Sequence, residues 1–154
     1  MKVIISADST CDLSKELVEK YAINIIPLSV TMGDKTYKDG VEMKPDDIYD
    51  YVSSTGELPK TSAVNVADYE MFFKKYSGQG NSVVHFCIGA EFSSTYMNAS
   101  AAASEYSNVY VVDSRNLSTG QGLLVLHAAE MAQQGCDAET ISKECRLLTE
   151  KVEA

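Results

Sequence analysis

The chain predicts an α/β fold: a three-layer sandwich in which a mostly parallel sheet is covered by helices on both faces. Three observations lead there. Short β-branched runs alternate with helical periodicities along the whole chain. One run, Ser82 to Ile88, is apolar enough to be a strand buried on both faces. The resulting order, strand, helix, strand, hairpin, two helices, strand, helix, strand, two helices, is that of strands joined by crossover helices.

Val3 to Ala7 is the first strand, stopping at Asp8, and Leu13, Leu17, Val18 and Tyr21 then share one helical face behind a cap at Asp12 or Ser14. Ile23 to Val30 is β-branched again. Thr31 to Lys38 turns at Gly33-Asp34 as a hairpin or edge excursion, closed by Asp39-Gly40. Lys44-Pro45 opens a second helix, with proline at its first position and Asp46 and Asp47 favourable to its dipole; it runs to about Ser54 and Gly56 stops it. Pro59 to Ser62 reads as a connection. Asn65 caps a helix bearing Tyr69, Phe72, Phe73 and Tyr76, which ends at Gly78 to Gly80. After the Ser82 strand, Ser93 to Ser107 is a helix of small residues whose alanines allow close approach. Val109 to Val112 is the next strand, Ser118 to Gln134 an apolar helix, and Asp137 caps a last helix with no stop signal before Ala154.

Composition bounds the function. In 154 residues, 45% apolar, there is enough chain for a real core without staples. The formal charge of −9 repels nucleic acid and anionic membrane surfaces, so an anionic ligand has to be held by local donors. Cys11, Cys87, Cys136 and Cys145 form no CxxC pair and have no zinc spacing, which suits a reduced, cytoplasmic setting; neither a metal nor a cofactor is expected. No stretch approaches the roughly 20 apolar residues of a membrane span.

Four clusters of hydroxyl and carboxylate side chains fall where apolar runs end: Asp8-Ser9-Thr10, Thr61-Ser62, Ser93-Ser94-Thr95 and Asp113-Ser114. Three directly follow a strand, and ligands of open parallel sheets bind at the carboxyl ends of the strands. With Ser118, at the start of the apolar helix, they make a donor-rich crevice suited to holding an anion without transforming it. Taken singly, each cluster is also ordinary turn and cap chemistry.

Other readings are weaker. Asp8 and Asp12 stand four apart, which is wrong for the acid pair of an aspartyl phosphatase. Gly120-Gln121-Gly122 is a fragment of a dinucleotide loop without its third glycine or its downstream acid. His85 lies inside an apolar strand and His127 on an Ala/Leu-rich helix, so both read as packing residues, as does the Tyr69, Phe72, Phe73, Tyr76 stripe. Met32, Met43, Met71, Met97 and Met131 suit either a greasy pocket or an ordinary core.

Taken in order, Asp8-Ser9-Thr10-Cys11-Asp12-Leu13, Ile26-Pro27-Leu28, Pro59-Lys60-Thr61-Ser62, Phe92-Ser93-Ser94-Thr95-Tyr96 and Val111-Val112-Asp113-Ser114 resemble the DegV family of fatty-acid-binding proteins. The resemblance spans essentially all 154 residues and covers the family's N-terminal α/β domain alone, without the C-terminal domain. It implies that the chain holds a long-chain fatty acid of hexadecanoate type and presents it to a separate fatty-acid kinase, contributing no catalysis. Carried over by position, Thr61 binds the carboxylate and Ser93 is its second ligand, with Ser62, Ser94 and Thr95 beside them. Ser94 stands where the family has glycine, and Ala63-Val64-Asn65 replaces Gln-Pro-Ser.

Without the second domain, the Phe92, Met97 and Leu123 region is expected to lie open to water and to favour self-association. Two other classes stay open: a phosphotransferase or kinase-related subunit of similar fold, told apart by a phosphohistidine assay, and an interaction module that binds no ligand.

Overall fold

The computed structural model describes residues 2–152. Seven strands and six α-helices follow one another: β1 (Val3–Asp8), α1 (Lys15–Lys20), β2 (Asn24–Ile26), β3 (Ser29–Met32), β4 (Lys35–Lys38), α2 (Pro45–Thr55), β5 (Lys60–Ser62), α3 (Val66–Tyr76), β6 (Ser82–Cys87), α4 (Thr95–Ala103), β7 (Val109–Asp113), α5 (Ser118–Gln133) and α6 (Ala138–Leu148). β1, β2, β6 and β7 make a parallel sheet in the order β2-β1-β6-β7. β3, β4 and β5 make a separate antiparallel sheet in the order β4-β3-β5.

The parallel sheet is buried on both sides because its side chains alternate between two helical layers. Ile5, Ala7, Val84, Phe86 and Val112 pack with Leu124, Val125 and Ala128 of α5 and Ile141 and Cys145 of α6. Val83, Cys87, Val109 and Val111 pack with Tyr69 and Phe73 of α3 and Ala99, Ala102 and Ala103 of α4. The expected three-layer sandwich is therefore present. On the α3 side, His85 is fully buried; its Nδ1 lies 2.9 Å from Ser6 Oγ and its Nε2 3.3 Å from Tyr69 Oη. The rings of Phe72 and Phe73 stand edge-on to it. Burial lowers its pKa to about 3, so it is a neutral core histidine at physiological pH. No described helix is long and apolar enough to cross a membrane.

Four local expectations are corrected, and the choice between two caps for α1 is settled. The run Ile23 to Val30 is two strands in two sheets, because Pro27 has no N–H and the Leu28 N–H donates to Ser9 Oγ at 3.1 Å instead of to a ladder. Pro59 to Ser62 is more than a connection: Lys60–Ser62 pairs antiparallel with β3, Val30 facing Thr61. Ser14 caps α1, whereas Asp12 closes a 3-10 turn over Ser9–Cys11 with a left-handed φ of 48°. α4 is shorter than expected at both ends: Ser93 Oγ accepts the Thr95 N–H and holds a turn before the helix, and after Ala103 the Ser104 hydroxyl donates to Ala101 O at 2.7 Å and the Tyr106 N–H to Ala103 O at 2.9 Å, a tight turn that leaves the helix. The last helix ends at Leu148, followed by a 3-10 turn over Thr149–Lys151; at Val152 the backbone is extended and its O accepts from Asn116 Nδ2 at 3.1 Å. Residues 153 and 154, over which that helix was expected to continue, lie outside the described residues.

Candidate functional site

The strand order reverses direction between β1 and β6, and at such a switch point an open sheet leaves a crevice. Here the chain fills it with its own side chains. Asp8, the last residue of β1, is fully buried; its Oδ2 accepts the Ile88 N–H at 2.7 Å and its Oδ1 the Gln121 Nε2–H at 2.8 Å. Thr10 Oγ1 lies against Asp8 Oδ1 and 2.8 Å from Gln121 Oε1. Gln121 Nε2 also donates to Phe86 O at 3.3 Å, which orients its amide.

The Thr10 hydroxyl has one proton for the two acceptors Asp8 Oδ1 and Gln121 Oε1. Desolvation raises the Asp8 pKa above its ordinary value of 3.8, outweighing the bonds from Thr10, Gln121 and Ile88, which lower it. A carboxyl whose folded pKa is raised contributes stability that is full below about pH 3.8 and is lost as pH rises through the folded value. The stability advantage of the parent over Asp8→Asn is therefore expected to shrink between pH 4 and pH 8 in urea titrations; a difference flat over that range would mean that Asp8 is ionised.

The remaining clusters divide into spent and available groups. Ser114 is fully buried, donating to Asn116 O at 2.8 Å and accepting the Asn116 N–H at 3.2 Å. Asp113 Oδ1 accepts the N–H groups of Ala90 at 3.0 Å and Arg115 at 2.9 Å. Ser9 Oγ accepts the Leu28 N–H, which ties it to the start of β3 although its own proton has no partner among the described residues, and Ser118 opens α5 in a left-handed conformation. The N-terminus of α5 is closed to ligands by the turn at Ser9–Cys11. A Cβ on Gly122 would stand 2.7 Å from Cys11 O, which gives Gly120-Gln121-Gly122 a packing explanation in place of a nucleotide one.

The available hydroxyls are on two different elements. Lys60, Thr61 and Ser62 are all exposed on the edge strand β5, and among the described residues the Thr61 hydroxyl makes no hydrogen bond. Ser93 is half-buried in the turn between β6 and α4. Its Oγ accepts the Thr95 N–H at 3.2 Å and lies 2.8 Å from the buried Thr95 hydroxyl. Either hydroxyl of that pair can be the donor, so a rotation of the Thr95 hydroxyl is enough to turn the Ser93 proton toward an external acceptor, and Ser94 beside it is exposed. Four backbone donors hold this loop: Ile88 N–H to Asp8, Gly89 N–H to Asn116 O at 2.8 Å, Ala90 N–H to Asp113 Oδ1 at 3.0 Å and Phe92 N–H to Gly89 O at 2.9 Å. A cleft of about 460 Å³ runs along it, lined by Gly89, Ala90, Glu91, Phe92, Asp113 and Arg115. A second cleft of about 460 Å³, with Leu13, Ile25, Pro27, Val41 and Ile48 among its walls, starts at Ser9. A depression of about 490 Å³ at the opposite end of the sheet, around Lys2 to Ile5, touches none of the clusters.

Sequence reasoning passed over two residues of this neighbourhood. Gln121 was visible only as the middle of a glycine pair. Asn98, which donates from Nδ2 to Val64 O at 2.8 Å, looks like any polar residue of a helix, and no local signal singles it out.

Fold and site together define a doubly covered α/β domain with a hydroxyl-bearing loop beyond β6 and an exposed hydroxyl on the edge strand β5. The chain belongs to the DegV family: the family model described as "Uncharacterised protein, DegV family" matches residues 2–154. A DegV domain-containing protein of Clostridium perfringens is 37% identical over 145 residues, covering 93% of this chain and 52% of that protein. A crystal structure of DegV from Bacillus subtilis, described as a fatty acid binding protein, superposes with a TM-score of 0.90 at 29% identity, over 97% of this chain and 54% of that one. A stearic acid-binding protein from Eubacterium ventriosum matches with a TM-score of 0.84 at 35% identity, over 94% and 52%. The chain thus spans about half the length of the relatives it matches.

Proposed function

We propose that this chain binds a long-chain fatty acid by its carboxylate, between the hydroxyls of Thr61 and Ser93, and carries it to a fatty-acid kinase without performing chemistry itself. The observation that carries the reading is the division of the hydroxyl clusters. Asp8, Thr10, Asp113 and Ser114 are bonded within the chain and Ser9 Oγ accepts the Leu28 N–H, whereas the Thr61 hydroxyl is exposed with no bond among the described residues and Ser93 is half-buried, its Oγ shared only with its neighbour Thr95. The inner residues build the floor on which the outer two stand. Fatty-acid binding by the solved relatives, as their descriptions print it, supports the choice of ligand.

Magnitudes separate the roles of head and tail. Burying a sixteen-carbon tail at ~0.8 kcal/mol per methylene gives about 11 kcal/mol as an upper bound before ordering costs, so the tail supplies affinity. Each charge-assisted hydroxyl bond adds roughly 1.5–3 kcal/mol, enough to orient the acid and reject neutral lipids. Phe92, Met97 and Leu123 are 58%, 69% and 60% exposed, an apolar surface that a second domain of the kind implied by the longer relatives would cover. The chain by itself is accordingly proposed to bind acid weakly and to self-associate at micromolar concentration.

Calorimetry with hexadecanoate, together with native mass spectrometry of the purified chain, tests the reading: one acid per chain is expected, and no binding of any C14 to C18 acid overturns it. Incubated with labelled ATP and hexadecanoate, the chain is expected to form acyl phosphate only when a fatty-acid kinase is added. Turnover by the highly purified chain alone would make it an enzyme.

A further inference from the structure

Thr61 lies on β5 of the antiparallel sheet and Ser93 in the turn that follows β6 of the parallel sheet, and the two sheets share no strand, so nothing in either ladder sets the gap between their hydroxyls. Three side-chain bonds do. Two run to one turn: the Ser93 loop starts at Ile88, whose N–H is held by Asp8, and β3, the partner of β5, follows Leu28, whose N–H is held by Ser9. The third is direct. Asn98, in the first turn of α4, donates from its side chain to Val64 O at 2.8 Å and from its backbone to Ser94 O at 3.0 Å. One residue thereby joins the position two beyond Ser62 to the position one beyond Ser93.

We infer that Asn98 is a positioning residue of the carboxylate site, fixing the separation of the Thr61 and Ser93 hydroxyls by bridging the chain just past each of them. The inference rests on the fatty-acid reading for its consequence in binding and on the bridge itself for its consequence in the free protein. Val64 is a firm anchor, because its side chain is 2% exposed and packs in the core formed by Tyr69, Phe73 and Ala99. Its carbonyl is therefore held on the core side, and the Asn98 amide transmits that position to α4. A two-point hydroxyl site is sensitive to such a link, since both donors must reach one carboxylate at 2.5–3.0 Å.

Asn98→Ala is the direct test, with Asn98→Asp as a second variant that keeps the shape but replaces the donor by an acceptor. Hexadecanoate binding is expected to weaken about 10-fold in both, the consequence of losing roughly one well-formed charge-assisted bond. Binding of methyl hexadecanoate, which has the tail but no carboxylate, is expected to stay within about 2-fold. Adding Thr61→Val to Asn98→Ala is expected to cost less than it does in the parent, as coupled residues do. Equal weakening of acid and ester, or no weakening of the acid, overturns the inference.

Hydrogen exchange in the unliganded chain separates this inference from the reading it rests on. Asn98→Ala is expected to speed exchange in segments 60–65 and 88–95 together while 82–87 stays protected. Unchanged exchange in both segments overturns the positioning role whatever the ligand. A parent that binds no acid but shows the joint deprotection overturns the proposed function alone.

Discussion

Thr61→Val and Ser93→Ala are each expected to weaken hexadecanoate binding by roughly 10-fold or more, from the ~1.5–3 kcal/mol of one charge-assisted hydrogen bond. The double variant is expected to lose on the order of 100-fold, since both donors to one carboxylate are gone. The fold is expected to survive both changes. Thr61 lies exposed on an edge strand where valine is a good β-former, and Ser93 is in a turn whose apolar neighbours are not rearranged by losing one oxygen. Ser93→Ala also leaves the Thr95 N–H and hydroxyl without their partner, so α4 is expected to fray at its first turn and to lose about 0.5–1 kcal/mol. Calorimetry beside thermal unfolding separates the two effects. Parent-like affinity in both single variants would remove the head-group assignment.

Gly122→Ala is expected to destabilise the chain by about 1–3 kcal/mol, although alanine is ordinarily the better helix former. The new methyl would stand 2.7 Å from Cys11 O and 3.0 Å from Leu13 Cδ2. The first of these is backbone, held in the 3-10 turn that also carries Ser9 and follows Asp8, so it yields only if the turn moves. Gly78→Ala is the control. Its methyl meets nothing closer than Lys74 O at 3.7 Å, and the change is expected to be neutral or to stabilise by up to about 1 kcal/mol. Urea unfolding of the two variants measures both values. A Gly122→Ala protein as stable as the parent would show that the contact of α5 with the turn is loose. Movement of that turn is also expected to weaken acid binding, because Asp8 and Ser9 hold the Ser93 loop and β3.

Much of the fold was legible because its signals are local. The apolar runs of β1, β6 and β7, proline at the start of α2, the Asn65 and Asp137 caps and the Tyr69-Phe73 stripe each act within a few residues, and the elements they predict are present. The elements that were misread depend on distant partners. Pro27 divides a β-branched run, yet that the second half leaves for another sheet is decided by Ser9 and by Lys60–Ser62. The stop of α6 at Leu148 carries no breaker residue, and the extended chain that follows its 3-10 turn is held at Val152 by Asn116, far away in sequence.

The candidate site follows the same division. Residue types and their order placed hydroxyls beyond the strands and, through the family resemblance, selected Thr61 and Ser93 among them. Which hydroxyls remain available could not be read from the sequence, since Asp8, Thr10 and Gln121, or Ser114 and Asn116, satisfy each other only after the chain has folded. By itself the sequence determined the α/β layering, the acidic surface and the family, because periodicity, charge and motif order are properties of neighbouring residues. Only the tertiary structure decided that the switch-point crevice is closed by a hydrogen-bonded ring, that the N-terminus of α5 is sealed by Gly122 against Cys11, and that Asn98 ties the two arms of the site together. Each of these is a contact between residues far apart in the chain, and the energy of such a contact exists only once packing has brought both partners together and excluded water from between them.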